Sequence, residues 1–80
     1  MTIKVLGPGC TNCKTLEQRT REAVEQLSLD ATIQKIEDYQ GMSSYGIMST
    51  PGLVIDEKVV SQGRVPTVEA IKGLIQQSRQ

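Results

Sequence analysis

Hydrophobic spacing divides this chain into alternating strand-like and helix-like stretches. Thr2 to Leu6 is rich in branched apolar residues and is stopped by Gly7-Pro8-Gly9, which reads as a short strand. From Thr11 to Leu27 the period lengthens. Leu16, Thr20, Ala23, Val24 and Leu27 recur at steps of three and four, as on one face of a helix. Lys14, Glu17, Gln18, Arg19, Arg21 and Glu22 form a solvated face around that stripe, and Glu17–Arg21 has the favourable i,i+4 order. Asp30 to Ile36 alternates again, with Ala31, Ile33 and Ile36 as inward positions of a second strand. Asp38 is placed to cap a short, weak helix from Tyr39 to Tyr45, with Gly46 as its stop. Leu53-Val54-Ile55 and Lys58-Val59-Val60-Ser61 read as strands joined by a tight turn at Asp56-Glu57, and Gly63 breaks the hairpin. Thr67 can cap a last helix, with Glu69 in its first turn and Val68, Ile71, Leu74 and Ile75 as its apolar stripe.

The element order is therefore βαβ, then α, then ββα. A βαβ unit implies a parallel strand pair with a right-handed crossover, whereas a hairpin is antiparallel. The expected fold is α/β: a mixed four-stranded sheet flanked by helices, forming one domain over residues 1–80. A chain this short buries only somewhat more than ~60% of its unfolded surface, so its core is small and a deep substrate cavity is not expected.

Composition narrows the chemistry. Tyr39 and Tyr45 are the two aromatic residues, so Ile, Val, Leu, Met and Ala must build the core. Nine basic residues balance nine acidic ones, which leaves no field to attract a nucleic acid. No apolar run approaches the ~20 residues that span a bilayer, and Met1-Thr2-Ile3-Lys4 lacks a leader pattern, so a cytoplasmic location without membrane attachment is expected. Histidine is absent, which removes Cys-His and Ser-His nucleophilic pairs and most catalytic zinc sites. No cofactor is implied.

Chemistry concentrates in Cys10-Thr11-Asn12-Cys13, which holds both cysteines. A bridge across so short a loop stabilises by roughly 2 kcal/mol before strain, which makes it a poor staple. A functional pair is the better reading. Extending the first helix's stripe backwards puts Cys13, three residues before Leu16, on the buried side. Cys10 falls at the helix start, where unpaired N–H groups and the positive dipole end gather. Lys14 adds a nearby positive charge. Both effects favour a thiolate, so the Cys10 pKa is expected below the free value of about 8.5. Gly7 and Gly9 allow a tight exit from the strand without shading Cys10, and Pro8 stiffens it.

With these features in hand, the chain resembles the thioredoxin superfamily. Cys10-Thr11-Asn12-Cys13 opens the first helix, Thr50-Pro51 precedes the third strand, and the element order matches over essentially all 80 residues. The length suits the minimal, glutaredoxin-sized members. Gly-x-Gly-Cys-x-x-Cys with a later Thr-Pro-Gly-Leu is similar to the small prokaryotic thioredoxin-like, redox-active disulfide proteins. The resemblance implies a thiol–disulfide oxidoreductase serving redox homeostasis and electron transport. Cys10 would attack, Cys13 would resolve, and Pro51 would follow a cis bond facing the disulfide. Thr50 would pair with a substrate chain as a short strand, beside Thr11 and Asn12. Three positions depart from the thioredoxin pattern. Gly9 stands where thioredoxins carry Trp, Thr11-Asn12 replaces Gly-Pro, and Lys4 occupies the place of a buried acid; on its own Lys4 reads as a snorkelling strand residue.

Protein disulfides are the expected substrates, and a flavin-dependent thioredoxin-reductase-like donor is expected to recycle a monomer. Gln62-Gly63-Arg64-Val65-Pro66 lacks a recognisable glutathione clamp. Ile47 and Met48 either rim the substrate site or belong to the core. The alternative is a Cu(I) or zinc carrier using the same Cys10/Cys13 pair. Such carriers end in a strand, however, and usually place Met where Pro8 stands here.

Overall fold

The computed structural model describes residues 1–9 and 11–78. Seven elements follow in order: β1 (Thr2–Leu6), α1 (Thr11–Gln26), β2 (Thr32–Ile36), α2 (Tyr39–Ser43), β3 (Gly52–Ile55), β4 (Lys58–Gln62) and α3 (Val68–Ser78). The strands form one four-stranded sheet in the order β2-β1-β3-β4. β1 pairs with β2 in parallel and with β3 antiparallel, and β3 pairs with β4 antiparallel. The mixed sheet expected from the spacing is the one observed.

The period-2 alternation of the central strands sorts their side chains to two faces. Ile3, Val5, Leu53 and Ile55 join Leu16, Ala23 and Val24 of α1 and Ile71 and Ile75 of α3 in the main core. Leu6 and Val54 point the other way and meet Met42 of α2 in a smaller cluster. Thr20 is fully buried in the main core, and its Oγ1 donates to the Leu16 carbonyl at 2.7 Å, so it brings no unpaired polar atom with it.

Helix ends follow local chemistry. Asp38 caps α2 as expected, accepting from Gly41 N at 2.7 Å, and Thr67 Oγ1 accepts from Ala70 N at 3.2 Å in α3. α1 closes with the bonds Leu29 N to Val24 O and Ser28 N to Glu25 O, a Schellman arrangement with Ser28 at φ 54 in the position usually held by glycine. The β3–β4 turn has Asp56 at φ 49 and Glu57 at φ 70, the type I′ signature.

Two boundaries and one burial pattern differ from the expectation. β2 starts at Thr32 rather than Asp30, where Thr32 N first bonds the Met1 carbonyl. Because β2 is an edge strand, Ala31, Ile33 and Ile36 are half-buried rather than fully inward. α2 ends at Ser43, short of Tyr45, whose hydroxyl is engaged elsewhere. No described helix is long and apolar enough to cross a membrane.

Candidate active site

The chain leaves β1 through Gly7, Pro8 and Gly9. Gly7 is buried, and its N–H donates to the Ile36 carbonyl at 2.9 Å, which fastens the exit to the end of β2. A Cβ at Gly7 would collide with Cys13 Sγ and lie 3.1 Å from Cys13 Cβ and 3.9 Å from Pro51 Cα. Only a residue without a side chain lets the three come together. Gly9 has φ +86, a left-handed conformation that turns the chain toward α1 at low strain.

Cys13 lies on the apolar stripe of α1, as its spacing from Leu16 requires, and is 5% exposed. It is disulfide-bonded in this structure. Cys10 lies outside the described residues, and with it the expectation of an exposed thiol at the helix start. Thr11 and Asn12 are exposed in the first turn of α1.

The Thr50–Pro51 bond is cis. Pro51 is buried and its carbonyl accepts from Gly63 N at 2.9 Å, while Thr50 is exposed. Gly7, Cys13 and Pro51 thus meet at one end of the sheet, with Thr50, Thr11 and Asn12 at the surface. Met48, at 93% exposure, belongs to the surface and not to the core. Its N–H donates to Gln62 Oε1 at 2.9 Å, and it shares a shallow hollow with Met42, Ile47 and Thr50. Ile47 is half-buried against the smaller cluster.

Two sets of charged contacts escaped the sequence reading, which had Lys4 and the Glu17–Arg21 pair but not their distant partners. Behind Cys13, Lys35 Nζ lies 3.5 Å from Glu17 Oε1 and 4.0 Å from Glu37 Oε1. Burial works to raise the Glu17 carboxyl, but its bonds to Arg21 and Lys35 outweigh this and hold it below its ordinary value. Lys14, Lys35, Glu37, Val5, Gly7, Gly9 and Cys13 line one small hollow. On the opposite sheet face, Lys4 does snorkel along β1, and its ammonium group has definite partners. It donates to Tyr45 OH and lies 2.7 Å from Glu57 Oε1, while Tyr45 OH donates to Glu57 Oε2 at 3.0 Å. The Glu57 bond, then the Tyr45 bond, raise the Lys4 pKa; the Lys4 bond, then the Tyr45 bond, lower that of Glu57. The partners lie 41 and 53 residues from Lys4, beyond any local pattern.

A mixed sheet in the order β2-β1-β3-β4, a Cys-x-x-Cys where β1 gives way to α1, and a cis Thr-Pro entering β3 define a thioredoxin fold of the thiol–disulfide oxidoreductase class. The chain belongs to the thioredoxin-domain family, which it matches over residues 1–76. It is 39% identical over 75 residues to a thioredoxin of Methanothermobacter thermautotrophicus, covering 94% of this chain and 97% of that protein. It is 35% identical over 72 residues to a thioredoxin of Methanocaldococcus jannaschii, covering 90% of this chain and 83% of that one.

Proposed function

We propose that this protein exchanges disulfides with protein substrates through Cys10 and Cys13. The Cys10 thiolate attacks a substrate disulfide, forms a mixed disulfide and expels one substrate thiolate. The Cys13 thiolate then attacks the Cys10 sulfur and expels the second. Two electrons pass to the substrate, and a Cys10–Cys13 disulfide remains. The observation that carries this reading is the burial of Cys13 against Gly7 and Pro51, with exposed Thr50 alongside. A shielded second thiol suits resolution rather than first attack. Thr50, Thr11 and Asn12 would contact the substrate chain, and Met48 would supply an apolar rim.

The same reading has a flavin-dependent thioredoxin-reductase-like enzyme recycle a single-domain monomer in the cytoplasm. The test is insulin-disulfide reduction with such a reductase, beside recycling by glutathione and glutathione reductase. Cys13→Ser is expected to trap mixed disulfides and Cys10→Ser few. Equal trapping would reverse or remove the assigned roles. Efficient recycling by glutathione alone would replace the donor.

A further inference from the structure

We infer that Gln62 is a positioning residue for protein substrates: its side-chain carbonyl holds the loop that presents Met48 and Thr50. The inference rests on the Cys10/Cys13 reading above and deepens it. Between α2 and β3 the chain runs from Ser44 to Pro51 without regular structure. Tyr45 N and Gly46 N close the end of α2 on the Met42 and Ser43 carbonyls, and Ile47 packs into the smaller cluster. Met48, Ser49 and Thr50 then lie exposed. A segment with so little buried apolar surface is free to move unless polar ties fix its path.

The end of β4 supplies those ties. The β3–β4 ladder closes with Gly52 opposite Gln62. One residue further, Gly63 N donates to the Pro51 carbonyl at 2.9 Å. Gly63 has φ +70, and a Cβ there would lie 2.9 Å from Ser49 Cβ, so its bare backbone lets the loop lie against it. The Met48 N–H lies beyond the last ladder pair, and Gln62 Oε1 accepts from it at 2.9 Å. The side chain thus continues the pairing where the β4 backbone turns away. A backbone N–H can only donate, so the oxygen of the Gln62 amide, not its nitrogen, must face the loop.

The tie has a consequence for recognition. With its N–H held toward Gln62, Met48 stands 93% exposed beside exposed Thr50. Freed of the tie, the loop samples other paths, and a partner must select the competent one at a loss of apparent affinity. A net hydrogen bond shifts such an equilibrium about two- to tenfold. Cys13, Gly7 and Pro51 meet through other contacts, so the thiol chemistry does not depend on this bond.

The test separates recognition from chemistry. Reduced protein mixed with increasing insulin passes two electrons to an insulin disulfide and gains its own Cys10–Cys13 disulfide. Acid quench, alkylation and mass measurement give a limiting rate and a half-saturating concentration. Gln62→Met keeps the length and removes the acceptor. It is expected to raise the half-saturating concentration about fivefold and to change the limiting rate less than about twofold. Thionitrobenzoate release from dithiobis(nitrobenzoate), a disulfide too small to span the loop, is expected to stay within about twofold of the parent rate. Gln62→Glu, whose carboxylate still accepts, is expected to restore the parent half-saturation. In NMR spectra the Met48 amide proton should show a small temperature coefficient in the parent and in Gln62→Glu, and a large one in Gln62→Met. An unchanged half-saturation in Gln62→Met overturns the inference, as does equal loss in both variants. Slowed thionitrobenzoate release in Gln62→Met also overturns it, as a structural effect on the site. A parent oxidised by neither insulin nor dithiobis(nitrobenzoate) overturns the Cys10/Cys13 reading itself, and the role in recognition with it, while the Met48 amide still reports on the bond.

Discussion

The two faces of the sheet are held by different means. On the α1/α3 face, nine buried aliphatic residues from two long helices and the two central strands make a continuous core, and Cys13 continues the α1 stripe at its edge. On the α2 face, three buried residues suffice: Leu6, Met42 and Val54. That face is completed by half-buried Ile36, Tyr45, Ile47 and Val59 and by the polar clamp of Lys4, Tyr45 and Glu57. The lesson is a division of labour. The thick face gives the shielded cysteine a fixed seat, whereas the thin face carries the segment from Tyr45 to Pro51 on a few contacts of long sequence separation. Hydrophobic stabilisation scales with apolar area removed from water, so the first face should dominate stability.

The strongest way to break the comparison is to cut one large side chain from each face. Leu16→Ala is expected to cost about 3–5 kcal/mol and Met42→Ala about 2 kcal/mol, within the range for such truncations. Urea unfolding measures both, and equal costs would show the faces to be energetically alike. Next is Gly7→Ala, which forces a methyl group onto Cys13 Sγ. A loss of about 1–3 kcal/mol is expected, with slower thionitrobenzoate release. A neutral result would mean that the junction can open without cost.

A smaller effect tests the clamp. The Lys4 pKa is raised above its ordinary 10.5, so its contribution is complete below that value and lost as pH rises through the raised one. The Glu57 pKa is lowered from 4.5, so its contribution is complete above that value and lost as pH falls through the lowered one. Between the two ordinary values the clamp acts at constant strength. Lys4→Met should therefore lower stability near neutrality and flatten the pH dependence at both extremes, as read from urea midpoints at about pH 3, 7 and 11. A parallel offset at every pH would assign the loss to packing of the lysine stem instead. The smallest effect is expected at the surface. Met48→Ser should change stability by less than about 0.5 kcal/mol while raising KM for an apolar protein substrate a few-fold.

Much of this was legible in the chain because local spacing carried it. The stripe Leu16, Thr20, Ala23, Val24 pointed inward, and stepping back three residues placed Cys13 on the same side. Asp38 and Thr67 announced two helix starts by cap chemistry alone. The end of α1 gave no glycine signal, since Ser28 takes the left-handed position. What stayed hidden depends on the tertiary arrangement. β2 reads as an inward-facing strand, but its edge position leaves Ile33 and Ile36 half covered. Lys35 opposes Val5 in the parallel register, and only that pairing carries its ammonium group over α1 toward Glu17. Ile47 and Met48 are adjacent apolar residues in the sequence, and the loop turns one toward Met42 and the other into solvent.

The turn at the far end of the sheet carries two demands on one residue. Glu57 occupies a left-handed backbone conformation at φ 70, which glycine adopts more readily, yet its carboxylate bridges Lys4 and Tyr45. Substituting glycine would ease the turn and remove the strut; keeping the acid does the reverse. Position 57 is thus a fork in sequence space rather than a single optimum. A stability-selected library randomised there should separate into glycine variants with a relaxed hairpin and acidic variants with an anchored Tyr45, with few survivors between them.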